Sequence, residues 1–216
     1  MIKKSIYIYG ASGHGLVVAD IARACGYDDI IFVDDGDNDY PSFEDIKRTS
    51  GIPVAFGIGN NSIRAKLFEK VQNSDFEIVS LIHPSAIISA SVTTGKGTVV
   101  MPNVVVNAKA IIGDGVILNT SCVVEHECII DDFVHISPSV ALAGDVKVGK
   151  FTHIGIGSNV IQGIIIGKNV TVGGGSMVIR NIDDNQKVVG VPAQSITSNR
   201  GGVNSSFYFP SIRKAS

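Results

Sequence analysis

The sequence predicts two architectures in series: a small α/β half domain of the nucleotide-binding kind, then a parallel β-helix built from hexapeptide repeats. Two observations carry the second part. Between Ile82 and Asp183 an aliphatic residue returns at every sixth position, through Ile88, Val100, Val106, Ile112, Leu118, Val124, Ile130, Ile136, Leu142, Val148, Ile154, Val160, Ile166, Val172 and Val178, interrupted at Thr94. Four residues after these slots comes a second, small or apolar set, among them Ala86, Val104, Ala110, Cys122, Cys128, Val134, Val146, Ser158 and Ser176. A third observation, a compact apolar run closed by a glycine-rich turn at Gly10, carries the first part.

A period of six fits neither a helix turn nor an alternating strand, and it persists too long for a series of hairpins. It fits a coil of three short flats, about 18 residues in all, stacked so that the slot residues form columns inside a prism. At about 4.8 Å per stacked strand, five to six such coils make a rod on the order of 25 Å long. The expected division is therefore 1–81 for the α/β part, 82–195 for the coil and 196–216 for a tail, either a flexible extension or aromatics (Phe207, Tyr208, Phe209) laid on the rod.

Composition narrows the function classes. The chain has 216 residues and a net charge of −2 with no long run of one sign, which speaks against broad nucleic-acid binding. Its 3 cysteines, Cys25, Cys122 and Cys128, show no Cys-x-x-Cys spacing, and two of them fall in small-residue slots, so buried reduced thiols are expected. The apolar segment before Gly10 is too brief for a signal sequence, and no apolar run is long enough to span a bilayer. A soluble cytoplasmic protein without a membrane span is the expectation.

In the first part, Ile6–Tyr9 reads as a strand, Gly10-Ala-Ser-Gly-His-Gly15 as the turn and Leu16–Ala22 as a helix. Glycines at such a turn let backbone N–H groups approach an anion, and the helix N-terminus adds about half a positive charge, so a phosphate or pyrophosphate is the natural guest. Ile30–Val33 is a second strand ending at Asp34-Asp35, where dinucleotide folds place a ribose-binding acid. Val54–Gly59 is a third strand, Asn60-Asn61-Ser62 a turn and cap, and Ile63–Phe68 a helix. The glycine pattern G-x-x-G-x-G departs from the G-x-G-x-x-G of NAD enzymes and weakens a dehydrogenase reading. Glu77–Ile82 reads as the strand that hands over to the coil.

The densest ionisable cluster of the coil is Glu125-His126-Glu127. Residues 18 apart lie one above another, so Gly144 stacks on His126 and is expected to leave room for a small acyl group; His135 and His153 should stack in a second column, at a corner or edge. An imidazole is suited to accept a proton near neutral pH, and a carboxylate on its other nitrogen would fix the tautomer. Glu125 or Glu127 could supply it; adjacency alone does not choose. A solvated Glu-His-Glu bulge is the plain alternative. Lys147, Lys150, Lys168 and Lys187 read as a solvated face rather than as phosphate ligands.

Gly10-Ala-Ser-Gly-His-Gly15, Asp34-Asp35, Ile58-Gly-Asn-Asn61, Leu118-Asn-Thr-Ser121 running into Val124-Glu-His-Glu-Cys128, and Val189-Gly-Val-Pro-Ala193 resemble the bacterial UDP-4-amino-sugar N-acetyltransferases of the bacillosamine pathway, over residues 1 to about 195. The resemblance implies a left-handed β-helix, a Rossmann-like N-terminal domain and a homotrimer with sites between subunits. It implies acetyl transfer from acetyl-CoA, without a metal, to the C4 amine of a UDP-4-amino-4,6-dideoxy-N-acetyl sugar. By the same resemblance His126 is the general base and Glu127 the carboxylate behind it. Ser12, Gly13, His14, Asp34, Asp35 and Gly59 then bind the UDP-sugar, and His135, Gly144, Ile156 and Gly174 meet acetyl-CoA. Rival readings are a sialic-acid O-acetyltransferase, a trimeric zinc lyase using His126, His135 and His153, and a non-catalytic nucleotide-sugar-binding protein.

Overall fold

A computed structural model of the chain describes residues 4–47 and 51–196. The expected tail, from residue 197 on, lies outside the described residues. The chain opens with β1 (Ser5–Tyr9), α1 (Gly13–Ala24), β2 (Asp29–Val33), α2 (Phe43–Ile46), β3 (Val54–Phe56) and α3 (Asn61–Gln72). The three strands form a parallel sheet in the order β2-β1-β3, the order expected of half a doubly wound domain. α1 is amphipathic: Val18, Ile21 and Ala22 are buried one helical turn apart. α3 starts at an Asn60 cap whose side chain accepts the Ile63 N–H at 3.0 Å. The one-turn α2, not among the expected elements, is held by a capping box between Ser42 and Asp45, whose S-x-x-D spacing is its sequence signature.

β3 is shorter than expected because Gly57 leaves the strand direction to pack on the first turn. A Cβ on Gly57 would lie 2.6 Å from the Gly10 carbonyl oxygen and 2.7 Å from the Gly15 Cα. The handover also differs: Ile78 makes only an isolated bridge to Val54, and Leu81–Ile82 is already the first strand of the coil.

From Leu81 the chain winds through two-residue strands that pair with the strand one coil away in parallel register, as in Ile117↔His135 and His135↔His153. They stack into three faces. The first carries the strands beginning at Leu81, Val99, Ile117, His135, His153, Thr171 and Lys187; the second those at Ile87, Val105, Val123, Ala141, Asn159 and Met177; the third those at Thr93, Ile111, Ile129, Lys147 and Ile165. The slot residues from Val100 to Val178 are buried, as the periodicity requires, whereas Ile82, Ile88 and Thr94 form the end turn and are not. Between Thr171 and Lys187 the register step shortens to 16 residues, and the strand Gln194–Ser195 closes the face by antiparallel pairing.

The corners repeat with the same period. Asn103, Lys109, Ser121, Glu127, Phe133, Ser139, Asp145 and Phe151 all have φ between 56° and 63°, the left-handed turn that redirects the chain onto the next face. The α/β part rests on the first face and on the corner between third and first faces: α1 packs against the strand Leu81–Ile82, and one buried apolar cluster runs from Ile6, Val18 and Ala55 through the coil interior.

Candidate active site

His126 follows the second-face strand Val123–Val124 and precedes the third-face strand Ile129–Ile130, so it occupies the corner between those faces. Its side chain is 59% exposed. Nδ1 lies 3.2 Å from Glu127 Oε2, while the Glu125 carboxylate meets the main chain, 3.4 Å from the His126 nitrogen. Of the two carboxylates that adjacency left open, the geometry thus puts Glu127 on the ring. The left-handed corner conformation of Glu127, φ 61°, is what turns the carboxylate back. A carboxylate at Nδ1 holds the proton on that nitrogen and leaves the Nε2 lone pair free to act as a base.

Gly144 stacks against this ring, but the space above it is not the vacant acyl gap expected. A Cβ there would lie 2.5 Å from His126 Cε1 and 2.6 Å from Nε2, so the imidazole itself fills the room that glycine leaves. Among the described residues the Gly144 N–H has no acceptor, whereas its carbonyl accepts from Gly163. Cys122 and Cys128 point into the coil, as expected; burial pushes the Cys122 thiol up to about 12, and the Cys128 thiol donates to the Ala143 carbonyl at 3.2 Å.

A second cluster sits where the α/β part meets the first face. His14 and His135 face each other with ring centroids 6.1 Å apart, and His135 stacks on His153 at 4.7 Å with rings inclined by 10°. These two lie on the flat of the face and not at a corner or edge. Asn119 Nδ2 is 3.1 Å from His135 Nε2, and Ser137 Oγ is 2.8 Å from His153 Nε2. Burial, reinforced by the Arg64 guanidinium, lowers His14 to about 4, with its Nε2 buried and unpartnered among the described residues. Burial likewise lowers His135 to about 3, with His153 and Arg64 adding to it.

Ser12 makes no side-chain cap on α1, and a Cβ on Gly13 would meet nothing within 4 Å, so the helix N-terminus is open to an anion. Gly59 lies beside His14, its hypothetical Cβ 3.9 Å from the ring. A polar cleft of about 220 Å³ opens here between the start of α3 and the first face, lined by Gly59, Asn60, Ser62, His153 and Thr171. Asn60, Ser62 and Thr171 carried no signal as site residues in the sequence.

The two acids after β2 are already engaged. Asp34 accepts from the N–H groups of Ala11 and Gly36, each at 2.9 Å, and from Asn38, and these bonds hold its carboxyl below the usual range. Asp35 accepts from the Phe43 N–H at 2.9 Å, from Lys70 at 2.7 Å and from the Tyr9 hydroxyl. Burial works to raise the Asp35 carboxyl, and those partners outweigh it. Its contacts thus tie α2 and α3 to the sheet.

Ile156, 61% exposed, and Gly174, whose hypothetical Cβ is 3.1 Å from Ile156 Cγ2, sit together at the corner between first and second faces. The candidate residues thus fall into three places. His126, Glu127 and Gly144 hold the corner opposite the first face; Ile156 and Gly174 hold the other edge of the second face; the nucleotide-type turn, His14, Gly59 and His135 hold the first face itself. One chain does not bring them together. His126 stands apart from the His135–His153 stack, and among the described residues no three His, Cys, Asp or Glu side chains gather as a metal site. Lys147, Lys150 and Lys168 pair with Asp145, Asp132 and Asp184.

Residues 5–71 match the family described as the PglD N-terminal domain. The UDP-N-acetylbacillosamine N-acetyltransferase of Bacillus subtilis (strain 168) is 38% identical over 113 residues, 45% of this chain and 51% of that protein, so the chain matches about half the length of this curated relative. The GDP-perosamine N-acetyltransferase of Caulobacter crescentus, solved with CoA and GDP-perosamine, superposes with a TM-score of 0.85 at 36% identity over 90% of this chain and 97% of that one. The acetyltransferase domain of PglB from Neisseria gonorrhoeae, solved with acetyl coenzyme A, does so with a TM-score of 0.84 at 36% identity over 90% and 100%. With a Rossmann-like N-terminal domain, a left-handed β-helix and 36% identity over nearly the whole of the two solved enzymes, the chain belongs to the family of acetyl-CoA-dependent sugar N-acetyltransferases.

Proposed function

We propose that this chain moves acetyl from acetyl-CoA to the C4 amine of a UDP-4-amino-4,6-dideoxy-N-acetyl sugar, forming UDP-N,N'-diacetylbacillosamine in the cytoplasm. The observation that carries the chemistry is the His126–Glu127 couple, exposed at a corner with its Nδ1 on a carboxylate. Nε2 of the neutral imidazole takes a proton from the amine as its nitrogen attacks the thioester carbonyl. Charge gathers on the carbonyl oxygen, to which the Gly144 N–H, without an acceptor among the described residues, donates on this reading, and the C–S bond then breaks with the proton returned to the departing thiolate. Glu127 stabilises the imidazolium in between.

The separation of the candidate residues supports a composite site in a homotrimer. A sugar held by the 1–81 domain on the first face is on the far side of the prism from that chain's own His126, so it can meet such a base only on a neighbouring copy. The second face supplies apolar surface for this, including a groove of about 410 Å³ beside Glu125 lined by Val123, Ala141, Ala143, Ile161 and Met177. On this reading residues 82–195 carry the base and the acetyl-CoA contacts, His135, Ile156 and Gly174 among them. Ser12, Gly13, His14, Asp34, Asp35 and Gly59 serve the nucleotide sugar. Among the described residues no helix is long and apolar enough to cross a membrane.

A GDP-linked 4-amino sugar is the second reading, because the enzyme solved with GDP-perosamine matches over more of its length than the UDP-sugar enzyme does. The test is acetyl transfer measured side by side on the UDP-4-amino sugar, on GDP-perosamine and on sialic acid, with the mass of the native assembly. Preference for the UDP-sugar and a mass of three chains is expected. Preference for sialic acid, or transfer by a monomer, would refute the proposal.

A further inference from the structure

Arg64 sits on α3 and is 0% exposed, yet among the described residues no carboxylate answers its charge. Its Nε donates to the Gly115 carbonyl at 2.6 Å, one Nη donates to Ile58 and Gly59 at 3.0 and 3.2 Å, and the other to Asn61 Oδ1 at 2.8 Å and to Phe133 and Val134 at 3.1 and 3.4 Å. One planar group therefore joins two corners of the coil to the loop that carries Gly59. Asn61 extends the same seam, its Nδ2 donating to Phe151 and Thr152 one coil further on, at 2.9 and 3.2 Å. The fork geometry of a guanidinium suits such bridging, because it presents five N–H groups in fixed directions, which an ammonium cannot.

The Ile58–Gly59 loop has no helix or strand of its own to fix it against the coil. It follows β3, packs on His14 and lines the polar cleft of the first face. Arg64 holds two of its carbonyls, Ile58 and Gly59, and the Gly59 backbone also meets the His135 ring on the first face. We propose that Arg64, seconded by Asn61, is a positioning clamp that fixes the nucleotide-sugar loop at one height on the coil and so presents the acceptor amine at the level of the base on the neighbouring copy. The clamp rests on the acetyl-transfer reading above, but its physical content, a loop locked to a rod, is measurable without turnover. A group of this kind acts through orientation: displacing an acceptor by about 1 Å costs on the order of 10²-fold in rate.

The test uses the full chain and its Arg64→Met, Arg64→Lys and Asn61→Ala variants. Steady-state kinetics well below the unfolding temperature should show kcat/KM for the nucleotide sugar falling at least about tenfold in Arg64→Met, with the KM for acetyl-CoA unchanged. Arg64→Lys should restore part of this. Hydrogen exchange of amides 57–61 should speed up in the same order while amides 123–130 keep their protection. A clamp that serves stability alone would lower the unfolding temperature and leave both the kinetic ratio and the loop exchange as in the wild type, and that result overturns the inference. If Arg64→Met fails to fold, Asn61→Ala carries the same two readouts, with a smaller effect. If the wild type transfers acetyl to no nucleotide amino sugar, the acetyl-transfer reading fails, and loop exchange alone still decides for or against the clamp.

Discussion

The histidines of the first face and the histidine at the opposite corner belong to one repeat pattern but live in different media. His135 is half-buried, stacked on His153 and close to His14 and Arg64, and burial takes it to about 3. An imidazole so placed stays neutral across the physiological range and can give or take a hydrogen bond, but it holds an abstracted proton poorly. His126 is exposed and has a carboxylate at Nδ1, and the preceding residue, Glu125, lines an apolar groove. The lesson is that the coil provides the address and the neighbours provide the chemistry. On the proposed function, one region binds and orients and the other moves a proton.

The contrast breaks most visibly in turnover. His126→Ala is expected to lower kcat by about 10² to 10⁴-fold, with circular dichroism and the thermal midpoint nearly unchanged because the side chain is exposed. Glu127→Gln should cost less, since it removes the charge behind the base but keeps a hydrogen-bonding partner. His135→Ala should act mainly on KM. If His135→Ala lowered kcat as far as His126→Ala does, the two regions would have to exchange roles.

A smaller effect sharpens the corner side of the comparison. Gly144→Ala places a methyl group where the His126 ring now lies, 2.5 Å from Cε1, and the ring must swing away. Turnover is expected to fall by at least about tenfold, the scale of a misoriented catalytic group, while the fold holds because the ring can swing outward into solvent. Unchanged turnover in Gly144→Ala would mean that the working rotamer of His126 is not the one stacked on Gly144.

How much of this was legible follows from which features repeat. The columns from Val100 to Val178 were readable because stacking forces an apolar residue at every sixth position, and the same 18-residue arithmetic put Gly144 against His126. It could not say that the ring itself would fill the space. Nor could it choose Glu127, whose approach depends on a left-handed corner shared with Phe133 and Phe151. Arg64 was opaque: in Ile63-Arg64-Ala65-Lys66 it reads as an ordinary helix-surface cation, and only the docking of α3 on the third-to-first corner buries it. At Asp35 the sequence showed half of the picture: an acid at the end of a second strand reads as a ribose ligand, and nothing in the pattern says that its oxygens also hold Phe43, Lys70 and Tyr9. The meeting of His14 with His135 depends on how two domains sit together, which no periodicity encodes.

The smallest expected effect tests the binding side through stability. His14 titrates at about 4 and His135 at about 3 in the folded chain, both lowered first by burial. In the unfolded chain an imidazole takes its proton near 6.5. Between these values the unfolded state binds more protons than the folded one, so stability is fully present above about pH 6.5 and drains away as pH falls toward 4. The loss is at most about 1.4 kcal/mol per pH unit for each of the two groups, and solvent reaching these half-buried rings reduces it. This window lies above that of Asp34, Asp35 and Asp132, whose carboxyls are held below 3.8 and weaken the fold only at more acid pH. Urea unfolding at pH 7, 6 and 5 should therefore show a free energy that falls with pH, and a flatter fall in His135→Gln and in His14→Gln. A slope unchanged by both substitutions would mean that the seam between the domains does not hold these rings neutral.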